Sequence, residues 1–360
     1  MTQTIESVDG PITSDRLGVT LTHEHVFVDL RKYFATPTGV LERARAQEPV
    51  RIENVGAWRR NPLANLDNLV LDNMEAAIAE LSDFRASGGR TLVDVTPPDI
   101  GRDVLALRAA SRLSGVQIIA GAGHYIQPLH PPSLSDEPVE DIAGRLVGEL
   151  QDGIGTTGIR AGVIGEIGTM APIHPDEEKV LKAVALAHQA TGAPVIVHIS
   201  PPSPGTWWQG HEVLNVLEEG NVPLNKVLVS HLDNVLGSGD MFAHAIEYHS
   251  ELAERGCYIG YDGCGKEHYF PSGSAADYPS FWCVSDQIRS HAVAKLVEAG
   301  HTDRLLLSQD VCFKIELLRL GGFGYGHVLK AFSSNLQDHG LDGATIRHIL
   351  EDNPREFLCG

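Results

Sequence analysis

The sequence predicts an α/β fold of the (β/α)8 TIM-barrel type, built as a single domain over residues 1–360. Three observations point there. Short apolar runs rich in Val and Ile recur eight times, amphipathic stretches separate them, and ligand-type side chains stand at the ends of several runs. The length of 360 residues suits this architecture, which spans roughly 200 to over 400 residues.

The eight strands are expected at LGVTLTHEH (17–25), RTLVDVT (90–96), VQIIAGAG (116–123), RAGVIGEIG (160–168), APVIVHI (193–199), KVLVSHLD (226–233), CYIGYDG (257–263) and DRLLLSQD (303–310). They are continuously apolar rather than alternating, as strands buried on both faces are. Helices are expected between them, for example over NLVLDNMEAAIAELSDFRASGG (68–89) and PDEEKVLKAVALAHQATG (175–192). Both carry acidic residues near their starts and close on Gly, the polarity a helix favours. An open doubly wound sheet is the alternative reading of the same alternation. Three long connections, 31–66, 200–210 and 264–283, follow the first, fifth and seventh strands. In a barrel all three lie on the C-terminal face, where active sites are built.

Composition narrows the classes. A hydrophobic content of 42% and a charged content of 21% describe a globular protein with ample core. The net charge is −19 and no block of Lys or Arg occurs, which excludes a nucleic-acid or anionic-membrane partner of the usual basic kind. The acidity itself needs no reason beyond solubility. Cysteines at 257, 264, 283, 312 and 359 are odd in number and form no CxxC pair, so reduced thiols are expected. The start MTQTIESVDGPIT has no basic segment leading into an apolar core, and no apolar run reaches the length of a membrane span. The expectation is a soluble cytoplasmic protein.

The chemistry lies at the strand ends. With 17 histidines in the chain, the pair His23-Glu24-His25 is close to what chance supplies. Its position gives it weight, because residues i and i+2 of a strand point to one side. Glu166 ends VIGE, His198 ends VIVH, His231 ends VLVSH and Asp310 ends LLLSQD. Each alone reads as a core histidine, a turn residue or a helix cap. Together, four histidines and two carboxylates at five converging strand ends form a mixed N/O set suited to Zn²⁺ or a similar divalent ion.

With these motifs in order, the sequence resembles the phosphotriesterase family of the amidohydrolase superfamily over nearly its whole length. The segments that carry the resemblance are GVTLTHEHV, LVDVTPPDIGRD, RAGVIGEIGT, VIVHIS, VSHLDN, IGYDGCG, LSQDVCF and DNPREFL. It is strongest to the phosphotriesterase-related, resiniferatoxin-binding-type branch. The resemblance implies a binuclear centre of two divalent metal ions, zinc first among them. His23, His25 and Asp310 would hold the more buried ion, His198 and His231 the more exposed one, and Glu166 would bridge. Many family members carry a carboxylated lysine at the bridge. No Lys occurs on the fourth strand here, so Glu166 should bridge directly and assembly should not need bicarbonate.

Two such ions share a hydroxide, bring its pKa from about 15.7 towards 7, and polarise the substrate oxygen. Asp310 is then the catalytic residue, taking the nucleophile's proton and passing it to the leaving group. The implied reaction is hydrolysis of a carboxylic ester, lactone or N-acyl amide in a small-molecule substrate. Phosphotriesterases carry a relay histidine directly after the aspartate of the seventh strand. Gly263 follows Asp262 here, so phosphotriester hydrolysis is expected to be weak and promiscuous.

Tyr125, Trp207, Trp208 and Asp262 are the candidate substrate-binding residues. Tyr125 matches an aromatic position beside the metal centre in family lactonases, and reads equally as a packed strand-end ring. The two Trp suggest an apolar rim, or else a loop anchor or dimer contact. A homodimer is what the resemblance suggests. The alternative function is a non-catalytic small-molecule-binding protein on the same barrel, against which the intact ligand set and candidate base speak. A barrel isomerase or aldolase would want a catalytic Lys or a phosphate loop. GGFGYG (321–326) lacks phosphate-directed neighbours and reads as a mobile active-face loop.

Overall fold

Eight parallel strands, each flanked by helix, arise directly from the apolar runs. The structure of the protein, a computed structural model, describes residues 3–201, 208–237, 239–271 and 280–360. The barrel strands are β1 (Thr20–Glu24), β2 (Thr91–Asp94), β3 (Gln117–Ala122), β4 (Val163–Thr169), β5 (Val195–Ile199), β6 (Val227–Ser230), β7 (Tyr258–Tyr261) and β8 (Leu305–Leu307). Their spatial order is their chain order, and every ladder between them is parallel. All eight expected strands are present, and the barrel replaces the open-sheet alternative.

Closure between the first and last strands is made by side chains. The Ser308 hydroxyl accepts from the backbone N–H of Thr22 and of His23, at 2.8 and 2.9 Å. The Glu24 carboxylate accepts from the N–H of Gln309 at 2.6 Å and of Val311 at 2.9 Å.

Among the described residues, one long helix fills each of the seven crossovers: α1 (Met74–Ala86), α2 (Val104–Ser114), α3 (Val139–Gln151), α4 (Pro175–Thr191), α5 (Gln209–Glu219), α6 (Asp240–Glu254) and α7 (Asp286–Glu298). α4 ends on Gly192 in the left-handed region, as its sequence predicts. α1 starts later than expected. Asn73 caps it by accepting from the N–H of Ala76, and Val70–Leu71 pair antiparallel with Val28–Asp29 instead. The apolar residues before Asn73 are therefore strand, because a capping Asn fixes the first turn more firmly than periodicity does.

Two buried clusters follow from this geometry. The larger lies between strands and helices. The smaller collects Val93, Ile119, Val163, Ile196, Leu228, Tyr258 and Leu306 from seven strands, with Ile5 and Ile12. It is the filled barrel interior expected when inward side chains pack in layers. Ile5 and Ile12 come from a hairpin, Thr4–Ser7 with Gly10–Thr13, that the sequence reading missed. Its strands are too short to show a periodicity. Among the described residues no helix is long and apolar enough to cross a membrane.

Candidate metal centre and substrate cavity

The candidate ligands leave their strands where the backbone departs from regularity. The register slips between Leu21 and Glu24 in β1, and between Ile164 and Ile167 in β4, so irregularities bracket His23 and Glu166. His231 and Asp310 follow β6 and β8 at φ 63° and 50°. Such positions are uncommon outside glycine and gather where side chains must be re-aimed.

The six side chains form one contiguous cluster. Ligand atoms of His23, His25 and Asp310 lie within 4.8 Å of one another, as do those of His23, Glu166 and His231. His198 joins through Nδ1, 3.1 Å from Glu166 Oε2 and 2.8 Å from His231 Nε2. All are buried except Asp310, whose side chain is partly open to the cavity above.

Neighbouring hydroxyls and a carboxylate fix the imidazoles. His23 Nδ1 bonds the Ser230 hydroxyl at 2.9 Å, His25 Nδ1 the Thr96 hydroxyl at 2.8 Å, and His231 Nδ1 the Asp262 carboxylate at 2.6 Å. Each pairing turns the opposite nitrogen, Nε2, into the cluster, which is how metal-binding histidines are oriented. His23 Nε2 and Glu166 Oε1 are buried there with no hydrogen-bond partner. Polar atoms so placed call for a partner, and a divalent cation among N and O donors fits them.

The electrostatics agree. Burial would raise the Glu166 carboxyl, but the hydrogen bond with His198 and the adjacent imidazoles of His23 and His25 outweigh it and hold the group well below the usual carboxylate range. Asp310 is likewise held down against burial, by the Lys266 ammonium and by His25. Burial would lower His25, yet Asp310 and Glu166 overcome this and lift it to about 9. Burial, with His198 adding to it, lowers His231 to about 4. Two ionised carboxylates draw positive charge into a buried pocket of imidazoles.

A cavity of about 140 Å³ opens on this cluster, lined by His198, His231 and Asp310 on its floor. Leu30, Tyr33, Leu63, Tyr125, Phe270, Phe281 and Phe313 wall it, and Lys266 and Arg289 bring charge. A larger cavity of about 230 Å³, beside α1, contains none of the six ligands, so the smaller one is where chemistry can occur.

The structure distributes the other candidates unevenly. Tyr125 lines the cavity, its ring edge-on to His198 at 4.9 Å between centroids. Asp262 is buried and absent from the cavity lining. It accepts from the backbone N–H of His231 as well as bonding its ring, so it braces a candidate ligand from behind the cavity. Trp208 packs edge-on against Tyr248 at 4.9 Å, away from the cavity lining. Trp207 lies outside the described residues.

Gly263 acquires a steric reason. A Cβ there would stand 2.5 Å from Asp233 Oδ2 and 2.9 Å from an Arg289 terminal nitrogen. The Asp233–Arg289 pair, at 2.6 Å and almost wholly buried, occupies the space that a histidine would need. Gly263→His is therefore expected to lower the melting temperature and to give no gain in phosphotriester hydrolysis. Calorimetry and a paraoxon assay check both, and a tenfold gain in that activity would contradict the steric account.

Sequence reasoning missed Glu24 and Lys266. Glu24 sits between two candidate ligands and grips the backbone on either side of a third, Asp310. Burial raises its carboxyl to about 8, although the N–H groups of Val311 and Gln309 oppose this. Glu24→Gln would turn an amide NH₂ towards one of those N–H donors, leaving a buried group unpaired at about 1–3 kcal/mol. The expected result is a lower melting temperature together with reduced kcat, measured against wild type. An unchanged kcat would show that Asp310 needs no such grip. A signal existed in the alternation of β1, which turns Glu24 away from His23 and His25. Lys266 had none, since it lies in the connection after β7.

Comparison with known proteins follows the same lines. The model of the Phosphotriesterase family matches residues 3–358. An N-acetyltaurine hydrolase from Tetraodon nigroviridis is 36% identical over 360 residues, covering 98% of this chain and 97% of that one. A solved resiniferatoxin-binding protein from Rhodobacter sphaeroides superposes with a TM-score of 0.92 at 35% identity, over 99% of this chain and 95% of that one. A lactonase from Listeria monocytogenes superposes with a TM-score of 0.75 at 25% identity, over 99% and 98% of the two chains.

Proposed function

The chain belongs to the phosphotriesterase family and is a hydrolase, and from that premise we propose that it cleaves the N-acyl amide bond of a small acylated amine with the help of two bound zinc ions. The observation that carries this reading is the buried cluster of four imidazoles and two ionised carboxylates on the floor of a largely apolar cavity. His23, His25 and Asp310 would hold one ion, His198 and His231 the other, with Glu166 between them. Bound there, such ions supply a water acidified towards neutral pH and a Lewis acid for the acyl oxygen.

The protein's own groups do the rest. Asp310 faces the cavity, its carboxylate 3.2 Å from His25 Nε2 and 2.5 Å from Lys266 Nζ. It is placed to accept the proton of the attacking water and hand it to the departing amine nitrogen, which must leave protonated. Tyr125 lines the cavity with its ring edge-on to His198 and would bound the acyl group on that side. The apolar wall excludes water from around the amide and receives the acyl chain.

The relative's substrate, N-acetyltaurine, favours the amide over other acyl compounds, and the gap at Gly263, filled by Asp233 and Arg289, weighs against phosphotriesters. The lactonase neighbour makes lactone hydrolysis the second reading. Metal analysis of freshly prepared protein, coupled to a panel of N-acyl amines, lactones, aryl esters and organophosphates, tests the proposal. The expected result is near two metal equivalents per chain and fastest turnover of an N-acyl amine. Less than one equivalent with no hydrolysis on the panel would return the protein to a binding role.

A further inference from the structure

The larger cavity, of about 230 Å³, lies between α1 and the connection that follows β8, and no step of the proposed hydrolysis uses it. Its walls are fastened to one another. Lys314 Nζ bonds Asp67 at 2.6 Å, and the N–H of Ile315 donates to the Asn68 side-chain oxygen at 3.1 Å. These contacts pin the last connection of the barrel to the first. Tyr325, from the GGFGYG run, lines the cavity and donates its hydroxyl to the His25 carbonyl at 2.6 Å. One wall is thus tied to the backbone of a candidate metal ligand.

Glu80 of α1 is the unusual lining residue. It is only 3% exposed, and its Oε2 is buried with no hydrogen-bond partner. Gly324 keeps room for that oxygen, since a Cβ there would stand 2.5 Å from it. Burial raises the Glu80 carboxyl, and the N–H groups of Leu318 and Arg319 oppose the rise without bonding Oε2. The two cations of the lining do not reach it as partners: Lys314 is taken by Asp67, and Arg319 is exposed and acts through space. Val26, Val50, Leu71, Ala77 and Leu317 make the buried walls apolar. A carboxylate oxygen shut among them costs free energy until a donor reaches it. Among the described residues neither group able to hold a metal ion includes Glu80, and hard divalent ions want several oxygen ligands. A charged N–H donor on a short apolar body meets both the oxygen and the walls.

We propose that this cavity is a second ligand site, separate from the candidate metal centre, which takes a small organic ammonium ion with its nitrogen on Glu80 and its alkyl part against the valine and leucine walls. The site stands whatever bond the metal centre cleaves.

Calorimetric titration of the full chain with propylammonium chloride tests it. Wild type should show one saturable site per chain. Propanol, which has the same chain without the charge, and potassium chloride, which has the charge without the chain, should each give no saturable heat. Glu80→Gln keeps the size of the side chain and removes its charge, and should weaken propylammonium about 30-fold, the order of one charge-assisted hydrogen bond. Ala76→Leu fills the cavity from α1 and leaves Glu80 in place. Ala76 lines this cavity and is absent from the lining of the catalytic one, so loss of binding in that variant locates the ligand. Should Glu80→Gln fail to fold, Ala76→Leu and the two controls on wild type carry the comparison. Affinity unchanged within about threefold in both variants, against the 30-fold expected for that bond, would place the amine elsewhere and overturn the assignment. No saturable heat with propylammonium in wild type would leave Glu80 to water and overturn it equally, and potassium binding as tightly as the amine would overturn the organic class.

Discussion

Asp310→Asn is expected to reduce kcat roughly a thousandfold, within the range of about 10²–10⁴ that a positioned proton-transfer group supplies, while most of the bound metal is retained. The substitution isolates that role unusually well. Residue 310 has φ 50°, a conformation that Asn adopts as readily as Asp and that Ala resists. Asp310 meets His25 through one oxygen and Lys266 through the other; Asn keeps one of the two, so backbone, volume and one ligating atom survive. What is lost is the capacity to hold a proton between the attacking water and the amine. Steady-state kinetics on an N-acyl amine, with metal counted by plasma emission, measures both quantities. Turnover within tenfold of wild type would take proton transfer away from Asp310.

Glu166→Gln is expected to empty the site. Its carboxylate lies 3.1 Å from His198, 3.5 Å from His23 and 3.5 Å from His25, so one group gathers three of the four histidines. An amide of the same size brings no charge and points N–H at nitrogens that themselves need a cation. Metal content should fall below one equivalent per chain and activity should drop to background. A readout independent of turnover is available, because a ligand at a hundredfold over its Kd contributes about 2.7 kcal/mol of stability. Chelator should therefore lower the melting temperature of wild type and leave that of Glu166→Gln nearly unmoved. Reconstitution of wild type should proceed equally with and without bicarbonate. A strong bicarbonate requirement would mean that the bridge is not a plain carboxylate.

How far the sequence carries these conclusions depends on the kind of interaction. Strands were legible because burial on both faces leaves an unbroken apolar run, as VIVHI and VLVS show. His198, His231 and Asp310 were legible because they end such runs. Helix α1 was misjudged at its start, since Val70 and Leu71 continue the apolar pattern while belonging to a hairpin with Val28 and Asp29. Contacts between distant loops left no local trace. The Lys266 ammonium reaches Asp310 across 44 positions of sequence, and the Asp233–Arg289 pair spans 56. Gly263 was noticed only as a missing histidine, and the three-dimensional packing supplied the cause. Trp208 read equally as a rim aromatic or a loop anchor, and its edge-on contact with Tyr248 accords with the anchor.

The seam between β1 and β8 also makes the site a checkpoint on the whole fold. His23 and His25 reach the cluster from the first strand and Asp310 from the end of the last, with Glu24 gripping the Gln309 N–H across 285 positions of sequence. A barrel left open at that seam would present only part of the six-residue cluster, so completion of the site reports completion of the fold.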